Sequence, residues 1–244
     1  MFFVVYYYPA VLLVFNVKKS PATLENSVKG IRVRKLVHFG LHGPSCSGKG
    51  YVTGHLCERY HGNVFVIGLG DMIRARRSAD PEFRAYTDQQ TRDGVMIDDA
   101  IVTEMTRVRF EEGLRAGYDT FIWEGFGRNY TQMKQQMEWW GKNDGRIFNL
   151  LADLDTVVER LRKAISEGRR SDREDNGAIT VRFALHDSQM SEVARAVRNA
   201  DRFLTPIDAS VDLGLFARKI AFYANGVRGF REASAPTESY MNSQ

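Results

Sequence analysis

The sequence predicts an α/β fold: a five-stranded parallel sheet with helices on both faces and a glycine-rich loop following the first of those strands. Three observations lead there. Short apolar runs alternate with helical patterns five times between residues 36 and 223, the pattern of strand–helix–strand crossovers. The first run, residues 36–41, leads directly into Gly43-Pro44-Ser45-Cys46-Ser47-Gly48-Lys49-Gly50 and then into a helical stretch over 51–57. The next two runs end at Asp71 and at Glu124-Gly125-Phe126-Gly127-Arg128. In open parallel sheets, ligands bind beyond the carboxyl ends of the strands, so these groups should converge.

In chain order, residues 1–17 are nearly all apolar but short for a spanning helix, interrupted by Pro9 and Asn16, and β-rich in composition. No basic n-region or small-residue cleavage site marks a secretory signal. Residues 1–35 therefore read as an extension that packs loosely or stems from a mis-assigned start, with 18–30 a linker. A membrane anchor flanked by Lys18 and Lys19 is the alternative. The domain spans 36–230, and 231–244 is a polar, disordered tail. Strands are expected at 36–41, 63–67, 120–123, 146–151 and 203–207. Asp80-Pro81-Glu82 starts a helix with a cap, a first-turn proline and an acid on the dipole, ending near Gly94. Asp98 or Asp99 opens the next, with Ile101, Val102, Met105 and Val108 at helical spacing. Further helices cover 132–140, 156–165, 178–200 (broken near 186–188) and a last one from Ser210 to Tyr223.

The glycine loop carries the first chemical signal. Glycines let successive N–H groups turn inward as an anion nest, the helix start adds partial positive charge, and Lys49 reaches outer phosphates. The pattern G-x-x-x-x-G-K-[ST] is met at Gly43, Gly48 and Lys49, with Gly50 in the last position. The bland alternative is a strand-to-helix turn that binds nothing.

Composition bounds the rest. A 43% hydrophobic and 26% charged chain is ordinary for a globular protein. Residues 1–35 carry six lysines and arginines against Glu25, a net +5, which leaves −1 for the rest of a chain totalling +4. The basicity thus belongs to the leader, which argues against a nucleic-acid partner. Two cysteines make no disulfide framework and fit a reducing, cytoplasmic setting. No membrane partner is expected, and the chain should be a monomer.

On these residues the chain resembles, over about 36–225, the adenylate kinase-like nucleoside monophosphate kinases. The loop at Gly43 resembles the family's phosphate loop, where a glycine after the lysine is normal. Gly70-Asp71-Met72-Ile73-Arg74 is similar to its G-D-[ML]-[LI]-R, and Glu124-Gly125-Phe126-Gly127-Arg128 to its D-G-F-P-R. The resemblance implies a P-loop three-layer fold with a short lid at about 166–178, holding no zinc. It implies ATP bound by Gly43, Ser45, Cys46, Ser47, Gly48, Lys49, Gly50 and Tyr51. It places a monophosphate, most readily AMP, against Leu69, Arg74, Ile97, Gly125, Arg128 and Gln132. Gln132 would read the adenine edge, and 93–99 would wall the base. Lys49, Arg128, Arg160, Arg170 and Arg182 are the implied catalytic cations, and Asp71 and Glu124 would hold Mg²⁺ through water. The departures are Tyr51 for a threonine, Leu69 for a small residue, Asp98 and Gly127 for prolines, and Arg173 for the second of two aspartates.

Local readings stand beside these. Arg160, in Glu159-Arg160-Leu161-Arg162-Lys163, also reads as a solvated helix face, and Arg169, Arg170 and Arg173 as a charged loop. Asp71 reads also as the cap of a helix beginning at Met72, Cys46 as a small filler, and Trp139-Trp140 as packing. Three function classes follow: an ATP-dependent monophosphate kinase, a nucleotide-binding protein of this fold with weak or lost turnover, and a P-loop kinase for another small acceptor such as CMP or UMP. Arg74 together with Arg128 favours the first over the second, and Gln132 with the 93–99 wall favours it over the third.

Overall fold

The computed structural model describes residues 3–8, 11–16, 36–59, 64–92, 95–168, 176–210, 214, 215, 217, 218 and 220. The expected linker, tail, most of the lid and most of the last helix lie outside them. Strands β1 (Phe3–Tyr8) and β2 (Val11–Asn16) pair antiparallel from Phe3↔Asn16 to Tyr8↔Val11, as a two-stranded sheet of their own. The β-rich composition of that stretch is thus expressed as a hairpin. No helix among the described residues is long and apolar enough to cross a membrane.

The domain follows as β3 (Val37–His42), α1 (Lys49–Arg59), β4 (Phe65–Gly68), α2 (Leu69–Ala79), α3 (Pro81–Arg92), α4 (Asp99–Arg115) and β5 (Thr120–Glu124). It continues with α5 (Tyr130–Trp140), β6 (Asp144–Leu151), α6 (Leu154–Ser166), α7 (Asn176–Asn199) and β7 (Leu204–Asp208). The main sheet is all parallel, in the order β4-β5-β3-β6-β7. β3 lies at its centre, so the glycine loop leaves from the middle of the domain.

Alternation along each strand divides the core in two. Phe39, Leu41, Ile122, Phe148 and Leu150 face α1, where Val52 and Leu56 close the layer. Phe65, Ile67, Phe121, Trp123 and Ile147 face Phe110 of α4, Met133, Met137 and Trp140 of α5, and Val193 and Val197 of α7. Trp140 is fully buried, and its packing with Trp139 and Trp123 matches the expectation for that pair. His38 joins this second layer as a core residue, accepting from Trp123 Nε1 at 3.2 Å and stacking on Trp140. Burial, with Arg202 nearby, lowers its pKa to about 3, so it is neutral.

Several boundaries differ from the sequence expectation for physical reasons. Asp80 caps α3 as expected, its Oδ1 accepting from Phe83 N at 2.9 Å, and Asp98 caps α4 through Ala100 N. The buried stripe of α4 is Val102, Thr106, Phe110 and Gly113, whereas Val108 is exposed. Thr106 passes as apolar because its hydroxyl donates to Val102 O at 2.7 Å. Helix α2 starts at Leu69 with Gly68 as N-cap, so Asp71 lies in its first turn and is not its cap. Helix α7 runs unbroken through 186–188, where Ser188 Oγ donates back to Leu185 O and needs no break.

Candidate active site

The loop between β3 and α1 has the backbone its sequence requires. Gly43 has φ +137°, and a Cβ there would stand 2.7 Å from Leu150 O, so only glycine fits. Gly48 has φ +103° and Cys46 φ +60°. Cys46 holds that left-handed conformation while its side chain packs on the Val157–Leu161 cluster, a filler as expected. Ser47 is buried and Ser45 half-buried, while Gly50 and Tyr51 are exposed at the first turn of α1. That turn carries no acidic residue, leaving its N–H groups and dipole for an anion. Lys49 is buried, with Nζ donating to Gly43 O at 2.9 Å, Pro44 O at 2.6 Å and Ser47 Oγ at 3.4 Å. Its ammonium thus sits in the cradle that the loop forms.

Arg160 is no solvated helix-face residue. It donates to Ser47 O at 3.0 Å and Ala209 O at 2.5 Å, tying the glycine loop to the segment after β7. Burial lowers its pKa, but a guanidinium so placed remains a cation.

The second cluster grows from the end of β5. Glu124 faces α1, and Thr53 Oγ1 donates to its Oε2 at 2.9 Å. Gly125 and Gly127 have φ +80° and +77°. A Cβ on Gly127 would meet Gln136 Oε1 at 2.7 Å and Met133 Cε at 2.8 Å. The proline that the resembling family carries here, locked near φ −65°, cannot adopt this conformation. Arg128 Nε donates to Gly125 O at 2.8 Å. Burial first, and then the Arg182 guanidinium, push the Arg128 pKa down, while Glu124 holds it up. Arg182 of α7 and Arg128 therefore face one region.

Gln132 is buried with both polar ends engaged. Its Oε1 accepts from Arg128 N at 3.0 Å, and its Nε2 donates to Asp99 Oδ1 at 2.7 Å. Asn129 caps α5 and donates to both Asp99 oxygens at 2.9 Å.

The third cluster lies beyond β4. Arg74 and Asp71 pair at 2.5 Å with both side chains well exposed. Leu69 and Ile97 pack with Val102 and Phe126, so the Leu69 side chain is core. Gly68 pairs in register with Glu124, and Asp71 Oδ2 approaches to 3.1 Å of where a Gly68 Cβ would stand. The two carboxylates predicted for magnesium thus stand at adjacent strand ends. Arg170 lies outside the described residues.

The family described as an AAA domain matches residues 42–178, beginning at the last residue of β3 before the glycine loop. The chain belongs to this AAA domain family. The chain is also similar to proteins named adenylate kinase. It is 28% identical to that of Clavibacter michiganensis over 54% of this chain and 66% of that protein. It is 25% identical to that of Synechococcus over 60% and 75%, and 29% identical to that of Corynebacterium urealyticum over 55% and 72%. The matched region thus spans about two thirds to three quarters of these relatives' lengths. The fold is the α/β fold of P-loop kinases, of the adenylate kinase-like kind.

For an AAA domain that handles nucleotide, the donor set fits magnesium held mainly by substrate. Among the described residues no three His, Cys, Asp or Glu side chains group into a cage. Mg²⁺ keeps several waters and takes one or two carboxylates together with phosphates, a demand that Glu124 and Asp71 meet.

Sequence reasoning missed two contributors, Thr53 and His42, and the partners of a third, Asp99. Thr53, four residues beyond Lys49, carries the hydroxyl that meets Glu124, and helical spacing from the loop lysine is its signal. His42 precedes the loop and is held at Nε2 by Phe126 O at 3.1 Å. Burial, His186, Lys49 and Arg128 lower its pKa to about 3. Asp99, expected within the 93–99 stretch, organises Asn129 and Gln132 from 30 and more residues away, a pairing with no local signal.

Proposed function

We propose that this chain is a nucleoside monophosphate kinase that transfers the terminal phosphoryl group of ATP to AMP. The observation that carries the reading is convergence. The Lys49 loop, the Asp71–Arg74 pair and the Glu124–Arg128 segment all stand at the carboxyl ends of β3, β4 and β5, adjacent strands of one sheet.

Transfer between two polyanions needs charge neutralised, donor and acceptor aligned in line, and water excluded; it needs no nucleophile from the protein. The Gly43–Gly50 loop wraps the donor phosphates with its N–H groups. Lys49 exchanges the carbonyls of Gly43 and Pro44 for phosphate oxygens, a move of its flexible end alone. Arg160 steadies the loop from behind, and with Arg170 and Arg182 it serves the donor side. Arg128 and Arg74 fork the acceptor phosphate, since guanidinium matches phosphate oxygens in pairs. Glu124 and Asp71 would hold magnesium through water, and the ion would supply positive charge against the charge that develops on the phosphates. Leu69, Ile97 and Gly125 border the acceptor crevice. The protein acts as a monomer in the cytoplasm, and its free Cys46 and Cys57 agree with a reducing compartment.

A second acceptor class has one observation in its favour. Both ends of the Gln132 amide are engaged by Arg128 and Asp99, so an adenine edge has to displace Asp99. A pyrimidine monophosphate such as CMP or UMP makes no such demand. The test is a coupled ADP-release assay with ATP–Mg²⁺ and each of AMP, CMP, UMP and GMP. AMP as the fastest acceptor, weakened selectively by Gln132→Ala, is expected. CMP or UMP turned over well ahead of AMP moves the assignment to the second class.

A further inference from the structure

We propose that His186 is a further phosphate-binding residue of the transfer site, placed between the donor-side and acceptor-side cations; this rests on the kinase reading above. His186 lies on α7 four residues after Arg182, so both project from one helix face. The unbroken course of α7 through this stretch keeps them aligned. The His186 ring centroid is 6.4 Å from that of His42, the last residue of β3 before the glycine loop. With Pro44 of the loop, His186 also lines a cavity of about 190 Å³ that reaches the ends of β6 and β7. It is near enough to both Lys49 and Arg128 for each to act on its charge. His42 is near the same two cations but is held by Phe126 O, which leaves His186 as the one of the pair that lines the cavity with Pro44.

Among the described residues, the groups that face it come from several elements. Lys49 and Arg128 are cations, His42 is a neutral imidazole held by Phe126 O, and Asp153, Asp187 and Asp208 border the same cavity. Arg182 shares its helix face. Burial dominates, with Lys49 and Arg128 adding to it, and the His186 pKa falls to about 4. It is therefore neutral at pH 7 when the site holds no anion. A bound triphosphate reverses the local sign, because its negative charge offsets Lys49 and Arg128 and offers acceptors to an imidazolium. The pKa of His186 then rises and the complex takes up a proton. Since the bound state holds more protons, affinity strengthens as pH falls through the bound-state pKa and levels off near the free-state value.

The experiment follows the histidine resonances of the full-length chain by NMR from pH 5 to 8, with and without saturating inorganic tripolyphosphate, and assigns His186 through His186→Gln. In parallel, ATP affinity is measured at pH 5.5 and 8 for both proteins, which cancels protonation of the nucleotide itself. If the bound pKa returns to the ordinary value, the wild-type chain should gain about tenfold over His186→Gln on going to pH 5.5. An upward move of the His186 titration on adding tripolyphosphate, with that gain, supports the inference. Tripolyphosphate that binds while His186 titrates unchanged overturns it and leaves the kinase reading standing. Failure of ATP and tripolyphosphate to bind at any pH overturns both. Should His186→Gln fail to fold, the wild-type titration still decides, because the remaining histidines can be assigned by elimination.

Discussion

Replacing Gly127 by alanine tests how the segment that carries Arg128 is built. The residue has φ +77°, a region that costs a non-glycine residue about 1–2 kcal/mol. The added Cβ would lie 2.7 Å from Gln136 Oε1, 2.8 Å from Met133 Cε and 3.2 Å from His42 Nε2. Met133 can flex, but Gln136 is buried and His42 is tied to Phe126 O. Overpacking of this kind adds about 1–3 kcal/mol, so the total is about 2–5 kcal/mol, a large part of a typical domain's stability. Urea unfolding followed by circular dichroism should show the midpoint falling at constant slope. Gly127→Pro should be worse, despite being the commoner residue of the resembling family. A midpoint within about 0.5 kcal/mol of wild type in Gly127→Ala would refute the reasoning, because both the dihedral and the contacts would then be wrong.

Three further outcomes are expected. Lys49→Met should lose at least about 100-fold in transfer, the scale of removing one preorganised charge, with thermal unfolding little changed; rates within a few-fold of wild type contradict the loop assignment. Arg128→Lys should lower kcat/KM severely, since a point charge cannot fork two oxygens or keep the bond to Gly125 O. A silent swap there moves the acceptor phosphate elsewhere. Thr53→Val removes the hydroxyl on Glu124 while keeping shape. It should cost about tenfold in kcat/KM, in line with one hydrogen bond to a charged group, and raise the Mg²⁺ needed for half-maximal rate; unchanged magnesium dependence counts against Glu124.

What the sequence discloses is what local chemistry determines. The five apolar runs form five parallel strands, of which the central β3 is buried along its whole length, and the glycine loop was readable because its neighbours in space are its neighbours in sequence. Asp80 and Asp98 were legible as caps for the same reason. The unread features depend on distant partners. Gly127 looks permissive until Gln136 and His42 close on it, and Gln132 looks like a free amide until Asp99 meets it from 33 residues away. Arg160 looks solvated in its helix, yet its partners Ser47 and Ala209 lie 113 and 49 residues off. Thr106 interrupts the apolar pattern in the sequence yet belongs to the buried stripe of α4, because its hydroxyl bonds within the helix, whereas Val108 fits the pattern and is exposed. His186 carried no motif, and only the course of α7 brings it beside the loop.

The most direct measurement is ADP formation by the full-length chain from ATP–Mg²⁺ with and without AMP, alongside Lys49→Met. The expected result is ADP formation that requires AMP, yields two ADP for each ATP consumed, and is absent in the variant. ATP binding without ADP formation from AMP, CMP, UMP or GMP would contradict the assignment of this site to phosphoryl transfer.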